Sequence, residues 1–310
     1  IDNGAPFALG HLGKSQRIAT FQTPILDDEV GVAATIRFVS FSKLSRRNLI
    51  EWKTATEEML DFILLCLRNK ISVCIAGGTG SGKTGTLGYL LSELTKDDTF
   101  RVITVEEGSR ELDLVRRDEA GRIENDVVYL LTRKSDDKKY QITQNTLLEQ
   151  ILRHTPDIIG IGEMRSDEAF TAIEAAETDH TVITSIHAIS AQRAYKRMVR
   201  LASKATSVFC EDSLYDMAVS AFPIIVYQRK MRDGSRRIRE IVEAVDYADG
   251  KVLFNTLYRY KTDRIERDGD KYVVSGAFEK INNISNQLRE RLVEDVEYAV
   301  LQRFLKEECT

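Results

Sequence analysis

The sequence predicts an α/β fold in which helices cover both faces of a mostly parallel β-sheet. Three observations lead to this prediction. Short apolar segments rich in β-branched residues alternate with amphipathic segments over residues 71–202. A glycine-rich loop joins the first apolar segment to the first amphipathic one, and the chain is β-rich again before and after this region. Alternating strands and helices are typical of a parallel sheet, because each parallel strand needs a long crossover connection.

The residue pattern near the N-terminus predicts the end of a small α/β domain, which we place at residues 1–48. Apolar and polar residues alternate along AATIRF, and the acidic turn at residues 27–29 separates this strand from an earlier one. The chain begins without a methionine, and we expect the beginning of this domain to be missing. Residues 49–70 predict a linker helix, whose apolar side chains recur at helical spacing: Met59, Phe62, Ile63 and Leu67.

Residues 71–250 predict the central domain, in which four buried strands alternate with helices. We place the strands in ISVCIA, FRVITVEE, PDIIGIGE and TVITSIHA. The intervening segments each carry an inward stripe of apolar residues, and Thr143 and Ser190 are predicted N-caps. A polar hairpin is predicted around a turn at residues 134–137, between the second strand and the next helix.

The C-terminal part predicts strands followed by a helix, and we place a separate subdomain at residues 251–310. Asp233-Gly234 and Asp249-Gly250 each lie between alternating runs and indicate two β-hairpins. The last segment, ISNQLRERLVEDVEYAVLQRFLKEE, predicts one amphipathic helix docked on the domain.

The composition is that of a globular protein without a dedicated nucleic-acid surface. The chain has 310 residues, and 44 Lys and Arg against 48 Asp and Glu give a net charge of −4. This balance offers no basic excess to hold DNA, so we expect no direct nucleic-acid partner. No apolar run approaches the roughly 18 residues of a spanning helix, so any membrane contact is expected to be peripheral. Four cysteines without C-x-x-C spacing indicate reduced thiols in the cytoplasm.

The most specific motif in the sequence is the loop that follows ISVCIA. Gly77, Gly82, Lys83 and Thr84 fit the phosphate-loop pattern G-x-x-x-x-G-K-[ST]. Such a loop holds a nucleoside triphosphate with backbone N–H groups and a lysine, and its hydroxyl binds Mg²⁺. The predicted ligands are therefore ATP or GTP and Mg²⁺. The residues that form the predicted cradle are Gly77, Gly78, Thr79, Gly80, Ser81, Gly82, Lys83, Thr84 and Gly85.

Polar side chains that hydrolysis would require stand at the ends of three other predicted strands. They are the pair Glu106-Glu107, Glu163 and His187. Ligands of parallel sheets bind at the carboxyl ends of the strands, so all of these side chains can converge on the bound phosphates. Each alone is as readily a solvated strand end or a structural histidine, but together with the loop they predict a hydrolytic site.

Four motifs in this order resemble a known family. After the phosphate loop, TVEEGSREL, PDIIGIGEMRSDEA and TDHTVITSIHAISAQRA are similar to the Asp box, the atypical Walker B motif and the His box of the type II/IV secretion ATPases. TIRFVSFSK and the tail EIVEAVDYADGKVLFNTLYRY resemble the CpaF-like Tad pilus and conjugation-type branch. The resemblance runs from about Arg17 to Leu305.

The resemblance implies a RecA-like ATPase that works as a homohexamer at the cytoplasmic face of a membrane. Its work would be pilus assembly or substrate secretion, and its partner an inner-membrane platform protein. By the same resemblance, Lys83 would contact the β- and γ-phosphates and Thr84 the Mg²⁺. Glu106 would prepare the attacking water, Glu163 would hold Mg²⁺ through water, and His187 would report the γ-phosphate.

Two roles that the resemblance implies do not yet have a single residue: the glutamate that faces the water and the arginine that meets the γ-phosphate. Glu107 stands where the family has Asp, so either Glu106 or Glu107 could face the water. The γ-phosphate also needs an arginine, often from another domain or subunit. Arg37, Arg46 and Arg47 are candidates, and TIR is the better match to the family, so we predict Arg37.

Two other functions remain open on the sequence alone. A RecA-like nucleic-acid translocase would have a similar motor, and AQRAYKRMVRLASK is a basic stretch that would suit it. A nucleotide-gated scaffold would bind ATP without cleaving it, although it would have no need of Glu106 and Glu163. Hydrolysis that DNA stimulates would favour the first, and the absence of phosphate release the second.

Overall fold

The computed structural model describes residues 2–12, 16–38, 44–96, 99–135 and 137–305. The chain divides into two units. The first comprises residues 1–43 together with 111–113, and the second comprises residues 44–110 and 114–310. The boundaries that we predicted at residues 48, 70 and 250 remain predictions, and each unit is described below by itself.

The first unit contains a three-stranded antiparallel sheet. Its strands are β1 (Phe7–Leu12), β2 (Gln16–Gln22) and β3 (Val32–Phe38), in the order β1-β2-β3. The alternation in AATIRF thus corresponds to a strand, as predicted. The rest of TIRFVSFSK after Phe38 lies outside the described residues.

The second unit begins with two helices where one linker helix was predicted. α1 (Arg46–Glu51) is capped by Ser45, and α2 (Glu57–Arg68) begins at Thr56, whose hydroxyl accepts from the backbone N–H of Met59. Thr54 and Ala55 between the helices are buried, so the chain turns there against the core. The apolar side of α2 is buried as the spacing predicted: Met59, Leu60, Phe62, Ile63, Leu64, Cys66 and Leu67.

Parallel strands alternating with helices form the centre of the second unit, which confirms the predicted fold class. The elements are β4 (Val73–Gly77), α3 (Lys83–Leu94), β5 (Val102–Glu106), β6 (Val127–Leu131), α4 (Gln144–Ile151), β7 (Ile158–Met164), α5 (Glu168–Glu177), β8 (Thr181–His187), α6 (Ala191–Ala202), α7 (Glu211–Ala221) and β9 (Ile224–Lys230). Neighbouring strands are parallel in the order β6-β5-β7-β8-β4-β9. Consecutive strands are therefore not always neighbours, as right-handed crossovers allow.

Helices cover both faces of this sheet. Cys74, Ala76, Ile159 and Ile161 belong to a core shared with α4, α5, α6 and α7. Side chains alternate along a strand, so the Cβ position of Gly160 faces the other side of the sheet from Ile159 and Ile161. A Cβ there would lie 2.9 Å from Leu91 of α3, so α3 covers that face.

Three antiparallel strands extend the same sheet beyond β9. They are β10 (Arg236–Ala248), β11 (Lys251–Asp268) and β12 (Lys271–Lys280). The turns at Asp233-Gly234 and Asp249-Gly250 join β9, β10 and β11, as predicted. β10 and β11 pair across residues 248–251, on both sides of the predicted subdomain boundary.

The C-terminal segment forms two short helices, α8 (Asn286–Val293) and α9 (Tyr298–Gln302), so the prediction of one continuous helix is wrong. Four residues separate the helices, and Glu297 is the N-cap position of α9. The apolar residues still face inward: Leu288, Leu292, Leu301 and Phe304 are buried. Within the described ranges, no helix is long and apolar enough to span a membrane.

Candidate nucleotide-binding site

The strand order brings four of the predicted site segments to one edge of the sheet. β4, β8, β7 and β5 lie side by side, and their carboxyl ends carry Gly77, His187, Glu163 and Glu106. Gly77 is the direct partner of His187 in the β4–β8 ladder. The segments are far apart in sequence, so the fold alone assembles this edge.

The loop between β4 and α3 has the backbone of an anion cradle. Gly80 and Gly82 have φ values of 72° and 96°, which strongly favour glycine. Gly82 is the N-cap of α3, and no side chain caps the helix there. The first N–H groups of α3 and the positive end of its dipole therefore face the loop, as in known phosphate sites.

Two hydroxyl groups at the loop have no partner among the described residues. Ser81 is buried, and its Oγ accepts and donates no hydrogen bond there. Thr84, in the first turn of α3, is exposed, and its hydroxyl is likewise unpaired within the described part of the chain. Gly78, Thr79 and Gly85 are also exposed. The cradle thus presents hydroxyl groups that could donate to a bound phosphate or bind a metal ion through oxygen.

Lys83 lies against the start of the loop. Its Nζ donates to the carbonyl oxygens of Gly77 at 3.0 Å and Gly78 at 3.2 Å, and lies 3.4 Å from Nδ1 of His187. Burial lowers the pKa of Lys83, and the carboxylate of Glu163 opposes this shift. The ammonium group is held in place by acceptors that a phosphate can replace.

His187 connects Lys83 to Glu163. Its Nδ1 faces the lysine ammonium, which can only donate, so Nδ1 is the acceptor and the proton is on Nε2. Nε2 lies 3.0 Å from Oε1 of Glu163. Burial and the neighbouring cations lower the pKa of His187 below its ordinary 6.5, although Glu163 acts in the opposite direction. The imidazole is therefore neutral at pH 7.

Arg165 extends this chain outward to Glu107. Its Nη2 lies 2.8 Å from Oε2 of Glu163, and its Nη1 pairs with Oε2 of Glu107. The hydrogen bond to Glu163 raises the pKa of Arg165 although burial opposes it. Glu163 thus lies between the guanidinium of Arg165 and the imidazole of His187, although its Oε1 has no partner with hydrogen-bond geometry among the described residues. Its strand, β7, is separated from the loop strand β4 by β8.

Glu106 and Glu107 lie in different surroundings. Glu106 is the last residue of β5 and only 4% exposed, and its Cγ lies near Gly162, where a Cβ would be 3.5 Å away. Glu107 is exposed and paired with Arg165. The buried glutamate therefore adjoins the backbone just before Glu163, whereas the exposed one reaches the site through an arginine.

The predicted arginines are placed differently. Arg37 is an exposed residue of β3 in the first unit, and its approach to the loop stays a prediction. Arg46, in the second unit, pairs with Glu57 and Asp61 of α2. The hydrogen bonds of Arg46 to Asp61 and Glu57 outweigh the effect of burial, so its pKa is raised overall. These contacts with α2 show that this guanidinium serves the packing of α1 on α2.

A match to a protein family accompanies this geometry. Residues 14–295 match the family model described as "Type II/IV secretion system protein". The chain belongs to this family.

Family relatives differ from this chain in length as well as in sequence. An uncharacterized protein of Methanocaldococcus jannaschii, MJ0900, is 26% identical over 301 residues, which are 96% of this chain and 49% of that protein. The conjugal transfer protein TrbB of Rhizobium radiobacter is 25% identical over 218 residues, 70% of this chain and 62% of that one. The chain thus spans about half the length of the first relative.

Solved structures of secretion and pilus proteins share the fold of this family member. The pilus retraction motor PilT with bound ADP aligns with a TM-score of 0.53 and 20% identity, covering 81% of this chain and 62% of that one. The Legionella pneumophila ATPase DotB aligns with a TM-score of 0.52 and 16% identity, covering 96% and 67%. At these identities the likeness concerns the fold.

The oxygen groups present fit a Mg²⁺ ion that is held mainly by a nucleotide. Mg²⁺ is usually bound by one or two protein oxygens together with phosphates and waters. Thr84 offers an unpaired hydroxyl, and Glu163 offers a carboxylate at a neighbouring strand end. Within the described residues, no group of three or more His, Cys, Asp or Glu could bind a metal alone. The ion would supply charge compensation for the phosphates.

The sequence analysis did not identify Gln228 and Arg236 as part of this site. Gln228 of β9 is 1% exposed, and its Oε1 accepts from the Thr86 hydroxyl at 2.9 Å. Arg236 of β10 donates from Nε to the Gly80 carbonyl at 3.1 Å. A glutamine inside the apolar run FPIIVYQ is a detectable signal for a buried polar contact. No comparable signal marks Arg236.

Gly77→Ala is expected to lower the free energy of unfolding by roughly 2–3 kcal/mol, the usual cost of overpacking. A Cβ at Gly77 would lie 2.3 Å from the backbone oxygen of Gln228, so β4 and β9 would have to separate. Urea unfolding followed by circular dichroism measures this. Gly78→Ala is the control, because nothing lies within 4 Å of its Cβ position. Equal stability of the two variants would contradict the close approach.

Proposed function

We propose that this chain is a Mg²⁺-dependent ATPase that drives assembly of a type IV or Tad-like pilus, or secretion of a substrate. The observation that supports it most is the continuous contact from the loop lysine Lys83 through His187 to Glu163. This series of contacts would link the lysine that binds a phosphate to the carboxylate that binds the metal shell. Family membership and the names of its relatives agree with this proposal.

In the proposed reaction, the loop and Lys83 bind the β- and γ-phosphates, and Thr84 with Glu163 holds the Mg²⁺ shell. Glu106 orients the attacking water, and its burial strengthens the effect because the local dielectric is low. His187 gives up its contact with Lys83, and its Nε2–H donates to the γ-phosphate. Arg37 supplies positive charge to a γ-phosphate, from the same or a neighbouring copy.

We propose that hydrolysis is converted into work by a ring of six copies. Binding of ATP favours one conformation of each copy, and hydrolysis releases it. The motor would lie at the cytoplasmic face of the membrane and transmit force to an inner-membrane platform protein. Peripheral association would suffice for this contact.

Steady-state phosphate release tests the proposed activity. We expect the purified chain to release phosphate from ATP with Mg²⁺ and to stop when EDTA removes the metal. Binding of ATP without any phosphate release, in the presence of Mg²⁺, would support a nucleotide-gated scaffold and contradict the motor.

A nucleic-acid translocase is the second candidate, and the surface of α6 favours it. Five exposed cations follow one face of this helix and its end: Arg193, Lys196, Arg197, Arg200 and Lys204. Among the residues that the structure describes, none of them forms an ion pair. Adding single-stranded DNA to the same assay distinguishes the candidates, because a translocase is stimulated by DNA and loses this stimulation with salt.

A further inference from the structure

The β9–β10 hairpin extends beside the phosphate loop. Gly77, at the end of β4, pairs with Gln228, and β9 continues two residues further to Lys230. Arg236, the first residue of β10, is the partner of Lys230 across the hairpin. The hairpin therefore pairs Lys230 with Arg236, and Arg236 contacts the loop.

The side chain of Arg236 lies directly on the loop. Its Nε donates to the carbonyl oxygen of Gly80 at 3.1 Å. A Cβ at Gly82 would lie only 2.8 Å from Cδ of Arg236, so glycine at this position admits the arginine. The contact fixes the base of the guanidinium group and leaves its far end exposed.

The remaining donors of Arg236 have no acceptor in the described part of the chain. Lys230, opposite it, is also exposed and forms no ion pair with a described residue. Like charges directly opposite on paired strands are destabilising. The arrangement is costly in the empty protein and becomes favourable when an anion binds next to it.

We propose that Arg236 is a nucleotide-contacting residue whose free guanidinium N–H groups bind the phosphate chain of a nucleotide in the loop. The inference rests on the proposed nucleotide binding and adds to it an arginine from the same unit as the loop. Charge-assisted hydrogen bonds from arginine to phosphate are short and strong, and the planar fork can make two of them. Arg236 thereby sets affinity for the phosphate chain, independently of Arg37.

Titration of the purified chain with a fluorescent ADP analogue tests this contact. We expect Arg236→Gln to raise the Kd for ADP by about tenfold or more, as loss of a hydrogen bond to a charged group does. Pyrophosphate should displace the fluorescent ADP analogue less effectively from Arg236→Gln than from the unmodified chain. Adenosine should displace it equally well from both. Arg236→Lys, which keeps the charge but loses the fork, should fall between the two.

Arg232→Gln is the matched control. Arg232 belongs to the same hairpin and is exposed, but its guanidinium stacks on Tyr272 at 4.1 Å and donates to its hydroxyl. Its replacement removes the same charge, and we expect less than about a twofold change in the Kd for ADP because exposed charges beyond the contact are screened. Equal losses in both variants would show a long-range charge effect and overturn the contact.

Further outcomes separate this inference from the proposed function. If the Arg236→Gln variant folds and its Kd for ADP is unchanged, the contact is overturned. If that variant does not fold, an unchanged Kd for ADP in the Arg236→Lys variant overturns the contact. Phosphate release by the unmodified chain is measured alongside. A chain that binds ADP through Arg236 but releases no phosphate would contradict the motor and leave the contact standing, whereas a chain that binds no ADP overturns both.

Discussion

Replacing Lys83 by alanine is expected to lower the rate of ATP hydrolysis at least about 100-fold, which corresponds to ~2.7 kcal/mol of lost transition-state stabilisation. Lys83 is 7% exposed and its ammonium is already held at the loop by two carbonyl oxygens. Among the described residues of the second unit, no other lysine donates to these carbonyl oxygens. Its loss removes a fixed positive charge from the place where negative charge develops in phosphoryl transfer.

The measurement is steady-state phosphate release from saturating ATP and Mg²⁺, together with the Kd for a fluorescent ADP analogue. Lys96→Ala is the matched control, since Lys96 follows the other end of α3, is exposed and pairs with Glu93. We expect its rate to equal that of the unmodified chain. We expect a loss of at least about 100-fold for Lys83→Ala. A rate within about threefold of the unmodified chain would instead refute the assignment of the loop as the nucleotide-binding site.

Stability of the Lys83→Ala variant is expected to change little, which keeps the test of activity clean. The ammonium group is partly desolvated, and burial lowers its pKa, so its folded-state charge is costly. The buried carbonyl oxygen of Gly77 keeps the backbone N–H of Ala188 as a donor at 3.4 Å, and Gly78 is exposed, so water replaces the donor lost there. A thermal unfolding midpoint within a few degrees of the unmodified chain confirms this.

The fold class and the edge of the sheet that carries the site were predictable because local patterns determine them. ISVCIA, PDIIGIGE and TVITSIHA are short apolar segments, and each ends in a loop that carries a polar group. Ligands of parallel sheets bind at that edge, so Lys83, Glu163 and His187 could be placed together before their distances were known. The order of the strands was not needed for this inference.

The predicted hairpin around residues 134–137 is formed only in part, for a reason that local patterns do not contain. Val127–Leu131 has the composition of a hairpin strand, but it pairs in parallel with β5 at the edge of the sheet. Among the described residues, the predicted antiparallel pairing is limited to an isolated bridge between Arg133 and Ile142. Whether an apolar segment pairs with its neighbour in sequence or with a more distant strand depends on long-range packing, to which a residue pattern is blind.

Side-chain connections within the site were also beyond local patterns. Arg165 follows Glu163 closely in sequence, but its second partner, Glu107, is 58 residues away. Arg236 reaches Gly80 from 156 residues away. Such contacts arise only when β5, β7 and the β9–β10 hairpin are aligned in one sheet. The sequence therefore predicted the strand-end residues of the site, but not the pairing of Arg165 with two glutamates or the contact of Arg236 with the loop.

Replacing Glu106 by glutamine is expected to lower the rate of hydrolysis at least about 100-fold and to leave the Kd for ADP unchanged. A carboxylate that orients or deprotonates water contributes about 10²–10⁴-fold, and the isosteric amide cannot accept the proton. Glu106 is buried at the end of β5, beside Gly162, so its carboxylate acts at a site from which bulk water is largely excluded. Phosphate release and ADP titration together measure both quantities.

Glu107→Gln is the matched variant, and it removes an equal charge one residue away. Glu107 pairs with Arg165, and Arg165 also holds Oε2 of Glu163. Its loss frees Arg165 to pair more fully with Glu163, which then competes with the metal shell. We therefore expect a rate within about tenfold of the unmodified chain at saturating Mg²⁺, but a higher Mg²⁺ concentration for half-maximal binding of a fluorescent ATP analogue.

The ranking of the two variants decides which glutamate faces the water. The carboxylate of Glu107 is exposed and already accepts from the guanidinium of Arg165, so it is less available to accept a hydrogen bond from water. Glu106 is buried beside the backbone of β7 just before Glu163, so we expect Glu106 to act on the water and Glu107 to position Arg165. A larger loss of rate in Glu107→Gln than in Glu106→Gln would reverse these roles and place the water on the outer side of Arg165.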